Sequence, residues 1–225
     1  MIYDITSSTM VDYPNHLACV VWVSGCNCDC YYCHNHYMIK EEERVSDADF
    51  YSFLESRQGL LDAVVFSGGE CTISPKIGAY IKKAKKLGYK VKIDTNGSNP
   101  DFIDKYNEYI DYLAIDFKAT KQTMKSVVGV DIHEETLKTI KKAMEYGLDF
   151  EVRTTVFKSL LNEKNINSII KSLKVLGYQG VYYIQQGVVT EDMNYEVFDD
   201  EWIDTSKISK EIKVEFRESP IHNDA

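Results

Sequence analysis

Apolar runs alternate with longer stretches of mixed polarity along most of the chain. The runs at 17–23, 63–66, 90–93, 112–116, 150–157 and 181–185 have the length of buried strands. Between them the chain reads as helical at 47–56, 76–87, 100–109, 134–146 and 163–176. Ser46 precedes the first helix, with Asp47 and Asp49 in its opening turn, where side-chain oxygens satisfy amides that no earlier turn can pair. Gly88, Gly147 and Gly177 stand where helices should stop, because glycine takes the left-handed conformation of a helix end without steric cost.

Such alternation predicts parallel strands joined by right-handed crossovers. The expected fold class is α/β, an incomplete (β/α)6 TIM-like barrel, open laterally where two further strands of a full barrel would close it. Its polar motifs fall just after strands, at the carboxyl rim where barrels of this kind place their chemistry. No low-complexity linker interrupts the pattern, so residues 1–225 are expected to form a single domain, with a barrel core at about 17–186 and a C-terminal extension at 190–225. With 44% apolar side chains, 225 residues suffice for one such core. The extension contains Trp202, a strand-like run at 212–216 and a polar tail from Ser219 that is expected to fray. It suits either a partner-facing surface or a cover for the barrel bottom.

Charge and targeting signals narrow the location. A net charge of -9 argues against a nucleic-acid surface, which normally carries a basic patch. The one basic run, Lys82, Lys83, Lys85 and Lys86, lies on an expected helix and reads as a solvated face. There is neither a signal-type N-terminal run nor an apolar stretch of eighteen residues, so a cytoplasmic protein without membrane contact is expected. Its six cysteines then belong to a reducing compartment.

Four of those cysteines fall within eight residues, in Gly25-Cys26-Asn27-Cys28-Asp29-Cys30-Tyr31-Tyr32-Cys33-His34-Asn35. Cys26, Cys30 and Cys33 read as C-x3-C-x2-C. Thiolates so close together suit an iron-sulfur cluster or zinc far better than mutual disulfides. Three ligands would leave one iron of a 4Fe-4S cube open to a chelating molecule, whereas four would close the site. Zinc held by all four thiolates, or by three and His34, is the rival arrangement.

This loop and the motifs downstream of it resemble the radical SAM superfamily. Ser67-Gly68-Gly69-Glu70 follows the run at 63–66 as the family's GGE motif follows its second strand. Asp94-Thr95-Asn96-Gly97 follows Val91-Lys92-Ile93 as in the glycyl-radical-enzyme activases, and Ile115-Asp116-Phe117-Lys118 and Val152-Arg153-Thr154-Thr155 continue in order. The resemblance spans roughly 8–186. Asp12-Tyr13-Pro14, Cys33-His34-Asn35 and Gln185-Gln186 are most similar to the activating proteins of anaerobic ribonucleoside-triphosphate reductase.

The resemblance implies a 4Fe-4S cluster on Cys26, Cys30 and Cys33, with S-adenosylmethionine as second cofactor. Cys28 is then a bystander pointing away. Tyr32 would lie against adenine, or else simply pack at the barrel mouth, and His34 and Asn35 would bond near the cluster or adenine. Ser67, Gly68, Gly69 and Glu70 would hold the methionine amino end, since glycine permits close backbone approach and a carboxylate pairs with ammonium. Cys71 beside them reads as a small filler rather than a reactive thiol. Asp94, Thr95 and Asp116 would bind a monovalent cation near the cofactor carboxylate, or merely cap strand ends. Lys118 and Arg153 would surround that carboxylate with positive charge, unless they serve as interior salt-bridge partners, and Gln186 is a weaker candidate contact.

The implied activity is reductive cleavage of S-adenosylmethionine to a 5′-deoxyadenosyl radical, which takes a glycine Cα hydrogen from a large partner. That partner would be a glycyl radical enzyme, most similarly anaerobic ribonucleotide reductase. No further ferredoxin-like cysteine cluster is present, so the electron would come from flavodoxin or ferredoxin. Other readings stay open at this point: activation of a pyruvate formate-lyase type enzyme, radical chemistry on a small molecule or peptide, and a non-enzymatic zinc or electron-transfer protein.

Overall fold

The computed structural model describes residues 1–40, 42–190, 193 and 201–218. The polar tail from Ser219, with His222, lies outside the described residues. Eight strands form one sheet in sequential order: β1 (Ile2–Thr9), β2 (Ala18–Val23), β3 (Ala63–Gly68), β4 (Lys90–Thr95), β5 (Tyr112–Asp116), β6 (Phe150–Val156), β7 (Tyr182–Gln186) and β8 (Val214–Arg217). β1 runs antiparallel to β2, and every later pair is parallel. β1 and β8 end the strand order, so the sheet is an open, partial barrel rather than a closed one.

The six expected strands are β2 to β7. Two more flank them: β1 is not signalled by the apolar pattern, and β8 incorporates part of the apolar run at 212–216. The strand of the C-terminal extension therefore lengthens the sheet by pairing with β7.

The helices are α1 (Asp47–Ser56), α2 (Ile77–Lys86), α3 (Pro100–Tyr106), α4 (Met124–Val128), α5 (His133–Glu145) and α6 (Glu163–Leu176). Ser46 caps α1 as expected, its hydroxyl accepting from the Asp49 amide at 3.1 Å, a bond of about 1 kcal/mol in such settings. Gly88, Gly147 and Gly177 take φ of +90°, +65° and +86° just past α2, α5 and α6. The lysines of α2 face outward, with Lys83 paired to Glu55 and Lys85 to Asp111. Among the described residues no helix is long and apolar enough to cross a membrane.

Side chains alternate across the sheet with period two. Cys19, Val21, Val64, Phe66, Val91 and Ile93 belong to the main core that also includes the helices. Ala18, Val20, Ala63 and Val65 form a separate small cluster with Tyr13, on the concave side. Tyr13 is buried there against His16 and Tyr112, with ring centroids at 4.5 and 5.7 Å. The Asp12 carbonyl accepts from Lys92 Nζ at 2.5 Å. The turn Asp12-Tyr13-Pro14 is thus the floor of the partial barrel. Above it the concave positions become charged, with Lys92 and Asp94 on β4, Asp116 on β5 and Glu151 and Arg153 on β6.

Candidate functional site

The cysteine loop leaves β2 and is fastened by backbone on several sides. Ser24 donates to the Met1 carbonyl at 2.9 Å, Gly25 to Met38 at 2.8 Å and Cys26 to Ile39 at 3.1 Å. From the other side, Asp29 donates to Val128 at 3.0 Å and Tyr31 to Val127 at 2.9 Å. Helix α4, absent from the sequence expectation, therefore buttresses the loop. Five residues are too few to show a helical period in the sequence.

All four loop cysteines are free thiols, but they do not share one surface. Cys26, Cys30 and Cys33 line a cavity at the rim together with Tyr32, His34, Asn35, Ile39, Ser67, Gly68, Gly69, Asp94, Thr95, Asn96, Asp116, Lys118, Arg153 and Thr155. Cys28 is absent from that lining and faces a second cavity, behind the loop, with Asp29, His36, Tyr37, Gly129 and also Cys26, which borders both. It is buried, its thiol donates to Asn27 Oδ1 at 3.8 Å, its amide donates to Cys26 Sγ at 3.4 Å, and Asn96 Nδ2 donates to its sulfur at 3.3 Å.

Electrostatics separate the four. The neighbouring Cys28 lowers Cys26 and brings Cys30 down to about 7, in the latter case helped by nearby Lys118 against the effect of burial. Cys28, beside those two sulfurs and buried, is pushed far up. Burial raises Cys33 to about 11. Among the described residues no three His, Cys, Asp or Glu side chains converge as a single-ion shell requires. A cube, which takes each thiolate at a separate corner, fits three sulfurs spread around one cavity better than mononuclear zinc does.

The glycine pair packs the next loop onto this one. A Cβ on Gly69 would lie 2.2 Å from the Gly25 carbonyl oxygen, and one on Gly68, whose φ is +117°, 2.5 Å from the Val23 oxygen. Gly69 N donates to Val23 and Glu70 N to Gly25, both at 2.8 Å. Asn35 Nδ2 donates to the Gly68 carbonyl at 3.3 Å.

Glu70 lies behind the glycine pair. Its carboxylate does not line the cavity but is buried among four donors: Thr72 N at 3.1 Å, Thr72 Oγ1 at 2.5 Å, Thr95 Oγ1 at 2.7 Å and Asn96 N at 2.6 Å. Burial raises its pKa, and these bonds offset only part of that rise. Such a saturated carboxylate ties the β3 loop to the end of β4, and an ammonium group that met it would have to displace one of these donors. Cys71 behaves as the expected filler, fully buried with its thiol against the Phe66 and Asp94 carbonyls.

On the opposite wall lies a charged set. Arg153 Nε donates to Asp116 Oδ1 at 2.5 Å, and its Nη2 lies 3.4 Å from Asp94. Lys118 Nζ lies 3.2 Å from Asp116, and Lys92 Nζ 2.8 Å from Asp94. Burial alone would raise Asp116, but Arg153 and Lys118 bring it down to about 2. Lys118 and Arg153 are thus both interior ion-pair partners and cavity walls. Asp94 and Asp116 are engaged by these cations, and Thr95 donates to Glu70, so a monovalent ion at these three residues would compete with Arg153, Lys118 and Lys92 for the two carboxylates. Gln186 closes β7 but is not among the cavity walls.

Tyr32 lines the cavity between Phe157, at 5.5 Å between ring centroids, and Lys118, 6.0 Å from its ring. Its hydroxyl is buried without a hydrogen-bond partner among the described residues. Such an atom costs about 1–3 kcal/mol unless a ligand satisfies it. Together with three sulfurs and two cations, it makes a donor set that fits a sulfur-bound cluster and a polar, carboxylate-bearing nucleoside. Residues that the sequence reading does not single out include Asn96, Thr155 and Lys92. A signal for Asn96 lies in the Asp94-Thr95-Asn96-Gly97 motif, and one for Lys92 in its spacing two residues before Asp94.

Comparison with known proteins agrees with this geometry. Residues 20–176 match the radical SAM superfamily profile. A Methanocaldococcus jannaschii protein named "Putative glycyl-radical enzyme activating enzyme MJ1227" is 32% identical over 195 residues, covering 83% of this chain and 79% of that one. The crystal structure of Streptococcus suis SuiB bound to S-adenosylmethionine superposes with a TM-score of 0.66 at 14% identity, covering 88% of this chain. This chain spans about half of SuiB, with 49% of it covered. A domain of a pyruvate-formate lyase-activating enzyme from Bacteroides vulgatus superposes with a TM-score of 0.53 at 17% identity, covering 68% of this chain and 98% of that one. At these identities the two structures establish the fold alone. With a superfamily profile over most of its length and an archaeal relative at 32% identity, the chain belongs to the radical SAM superfamily.

Proposed function

We propose that the chain is a radical SAM activase that installs a glycyl radical on a partner enzyme. The observation carrying this reading is which loop thiols reach the rim cavity: Cys26, Cys30 and Cys33 line it with the Gly68-Gly69 backbone and the Arg153-Lys118 pair, and Cys28 does not, although Cys26 also borders the cavity that Cys28 faces. The archaeal relative's name supports the activase class. When bound, a 4Fe-4S cluster and S-adenosylmethionine supply reductive cleavage to a 5′-deoxyadenosyl radical, chemistry that belongs to the cofactors.

The chain's own residues bind, orient and exclude water. Cys26, Cys30 and Cys33 hold the cluster through sulfur. Ser67, Gly68 and Gly69 present backbone to the amino end of the methionine moiety, with Asn35 fixing the Gly68 carbonyl. Arg153 and Lys118 face its carboxylate, and Tyr32 offers its ring and unpartnered hydroxyl to the nucleoside. In this reading the two cations take the place that a monovalent ion would fill, so added potassium or sodium leaves affinity unchanged. Cys28 and Asn96 support the cluster loop from behind.

The partner is anaerobic ribonucleotide reductase, the electron donor is flavodoxin or ferredoxin, and the setting is cytoplasmic, with the described chain acting as one domain. The motifs Asp12-Tyr13-Pro14 and Cys33-His34-Asn35 favour this partner over a pyruvate formate-lyase type enzyme. The test is anaerobic reconstitution with iron and sulfide, then assays for 5′-deoxyadenosine and for a glycine-centred radical by electron paramagnetic resonance. Ribonucleotide reductase should acquire the radical. Deoxyadenosine without a radical on any glycyl radical enzyme would refute the activase reading, and a colourless protein holding stoichiometric zinc would refute the cluster.

A further inference from the structure

The C-terminal strand β8 reaches the charged wall of the cavity through its last residue. Arg217 forms a two-pronged pair with Glu151, Nη1 to Oε1 at 3.1 Å and Nη2 to Oε2 at 2.7 Å. Its guanidinium lies over Tyr183, 3.6 Å from the ring centroid. Glu151 is buried, accepts from Tyr112 Oη at 3.3 Å, and sits two residues before Arg153 on the concave side of β6. Arg153 Nη1 lies 3.7 Å from Glu151 Oε1, too far for a hydrogen bond. The only side-chain hydrogen bond Arg153 makes among the described residues is Nε to Asp116. Its two Nη groups are therefore held near carboxylates yet keep donors for another acceptor.

Glu151 is the pivot of this arrangement. A buried carboxylate seeks a full complement of donors, and two cations compete for it. While Arg217 occupies both oxygens, Arg153 stays loosely drawn and keeps its outer face toward the cavity. Without Arg217, Glu151 would pull Nη1 into a direct bond and turn that face inward.

We propose that Arg217 is a positioning residue: by satisfying Glu151 from β8, it keeps the Arg153 guanidinium aimed at the carboxylate of the molecule bound in the rim cavity. This rests on the reading that the cavity holds S-adenosylmethionine, and it gives the C-terminal strand a part in a site whose walls lie far upstream in the chain.

The test measures binding of S-adenosylmethionine and of its decarboxylated analogue to cluster-reconstituted protein by equilibrium dialysis. Arg217→Met should weaken S-adenosylmethionine about tenfold, the effect of losing one charge-assisted bond, and leave the decarboxylated analogue unchanged. Arg217→Lys, which retains a cation for Glu151, should stay within about threefold of wild type. The double variant Glu151→Gln, Arg217→Met removes the competing carboxylate and should recover most of the lost affinity. Equal weakening of both ligands, an unchanged affinity in Arg217→Met, or no recovery in the double variant would overturn the proposal. Wild-type protein that bound neither ligand would overturn the reading of the cavity itself, and the positioning role with it.

Discussion

Replacing Gly69 with alanine tests whether the glycine pair serves packing between the two rim loops. The added Cβ would lie 2.2 Å from the Gly25 oxygen and 2.8 Å from the Gly25 carbon, both of them backbone atoms that no rotamer change can move. Reaching an ordinary contact of 3.4 Å requires the loops to part by about 1.2 Å. The bonds from Gly69 to Val23 and from Glu70 to Gly25, each 2.8 Å, cross that seam and would open well beyond hydrogen-bond range. Their loss at about 1 kcal/mol each, added to about 1–3 kcal/mol for overpacking, gives roughly 3–5 kcal/mol. For a chain of this size that corresponds to a fall in Tm of about 6–20 °C. Gly69 is not a positive-φ residue, so the penalty is packing alone.

Gly88→Ala is the control, because its φ of +90° is strained for alanine but its surroundings are open. It should cost only about 1 kcal/mol. Thermal unfolding of anaerobic protein tracked by circular dichroism gives the stability, and iron analysis after reconstitution reports whether the loop still presents its thiols. A Gly69→Ala protein melting within about 2 °C of wild type, with its full iron content, would refute the argument.

Two further expectations come from the cavity walls. Cys28→Ala should keep about four irons per chain after reconstitution, whereas alanine at Cys26, Cys30 or Cys33 should lose the cluster; equal iron loss in all four variants would make Cys28 a ligand. Asp116 carries a pH signature. With its pKa held at about 2 in the folded protein and near 3.9 when unfolded, its contribution is complete above the unfolded value and lost as pH falls from there through the folded one. That contribution is about 2–3 kcal/mol. Urea unfolding between pH 5 and 2 should therefore show a steeper loss in wild type than in Asp116→Asn, and parallel curves would refute the pairing.

The parallel core is legible because its strands are buried on both faces and appear as continuous apolar runs such as Ala63 to Phe66. β1 escapes notice because Ile2–Thr9 is largely exposed and polar at most positions. Lys92 is hidden for a related reason. A lysine within a strand reads as solvent-facing, yet this one is 3% exposed, ion-paired with Asp94 and hydrogen-bonded to the Asp12 carbonyl. The site motifs are visible as residue types at set distances from strand ends. Beside the cysteines, the residues expected to touch the cofactor line the cavity, Tyr32 and Arg153 among them, apart from Glu70 and Gln186. Those two differ because spacing along a chain carries no information about the direction of a side chain. The same limit applies to Cys28, whose placement behind the loop depends on contacts with Asn96, 68 positions away.

The fastening of the cysteine loop has a consequence for how metal is acquired. Its ties to Met1, Met38, Ile39, Val127 and Val128 are amide-to-carbonyl bonds supplied wholly by polypeptide. Small zinc domains, by contrast, spend metal affinity on folding and collapse under chelators. Here iron and sulfide would arrive at a scaffold already in shape. Stripping the inorganic core should leave a compact, reloadable protein, with the affinity for iron going into capture.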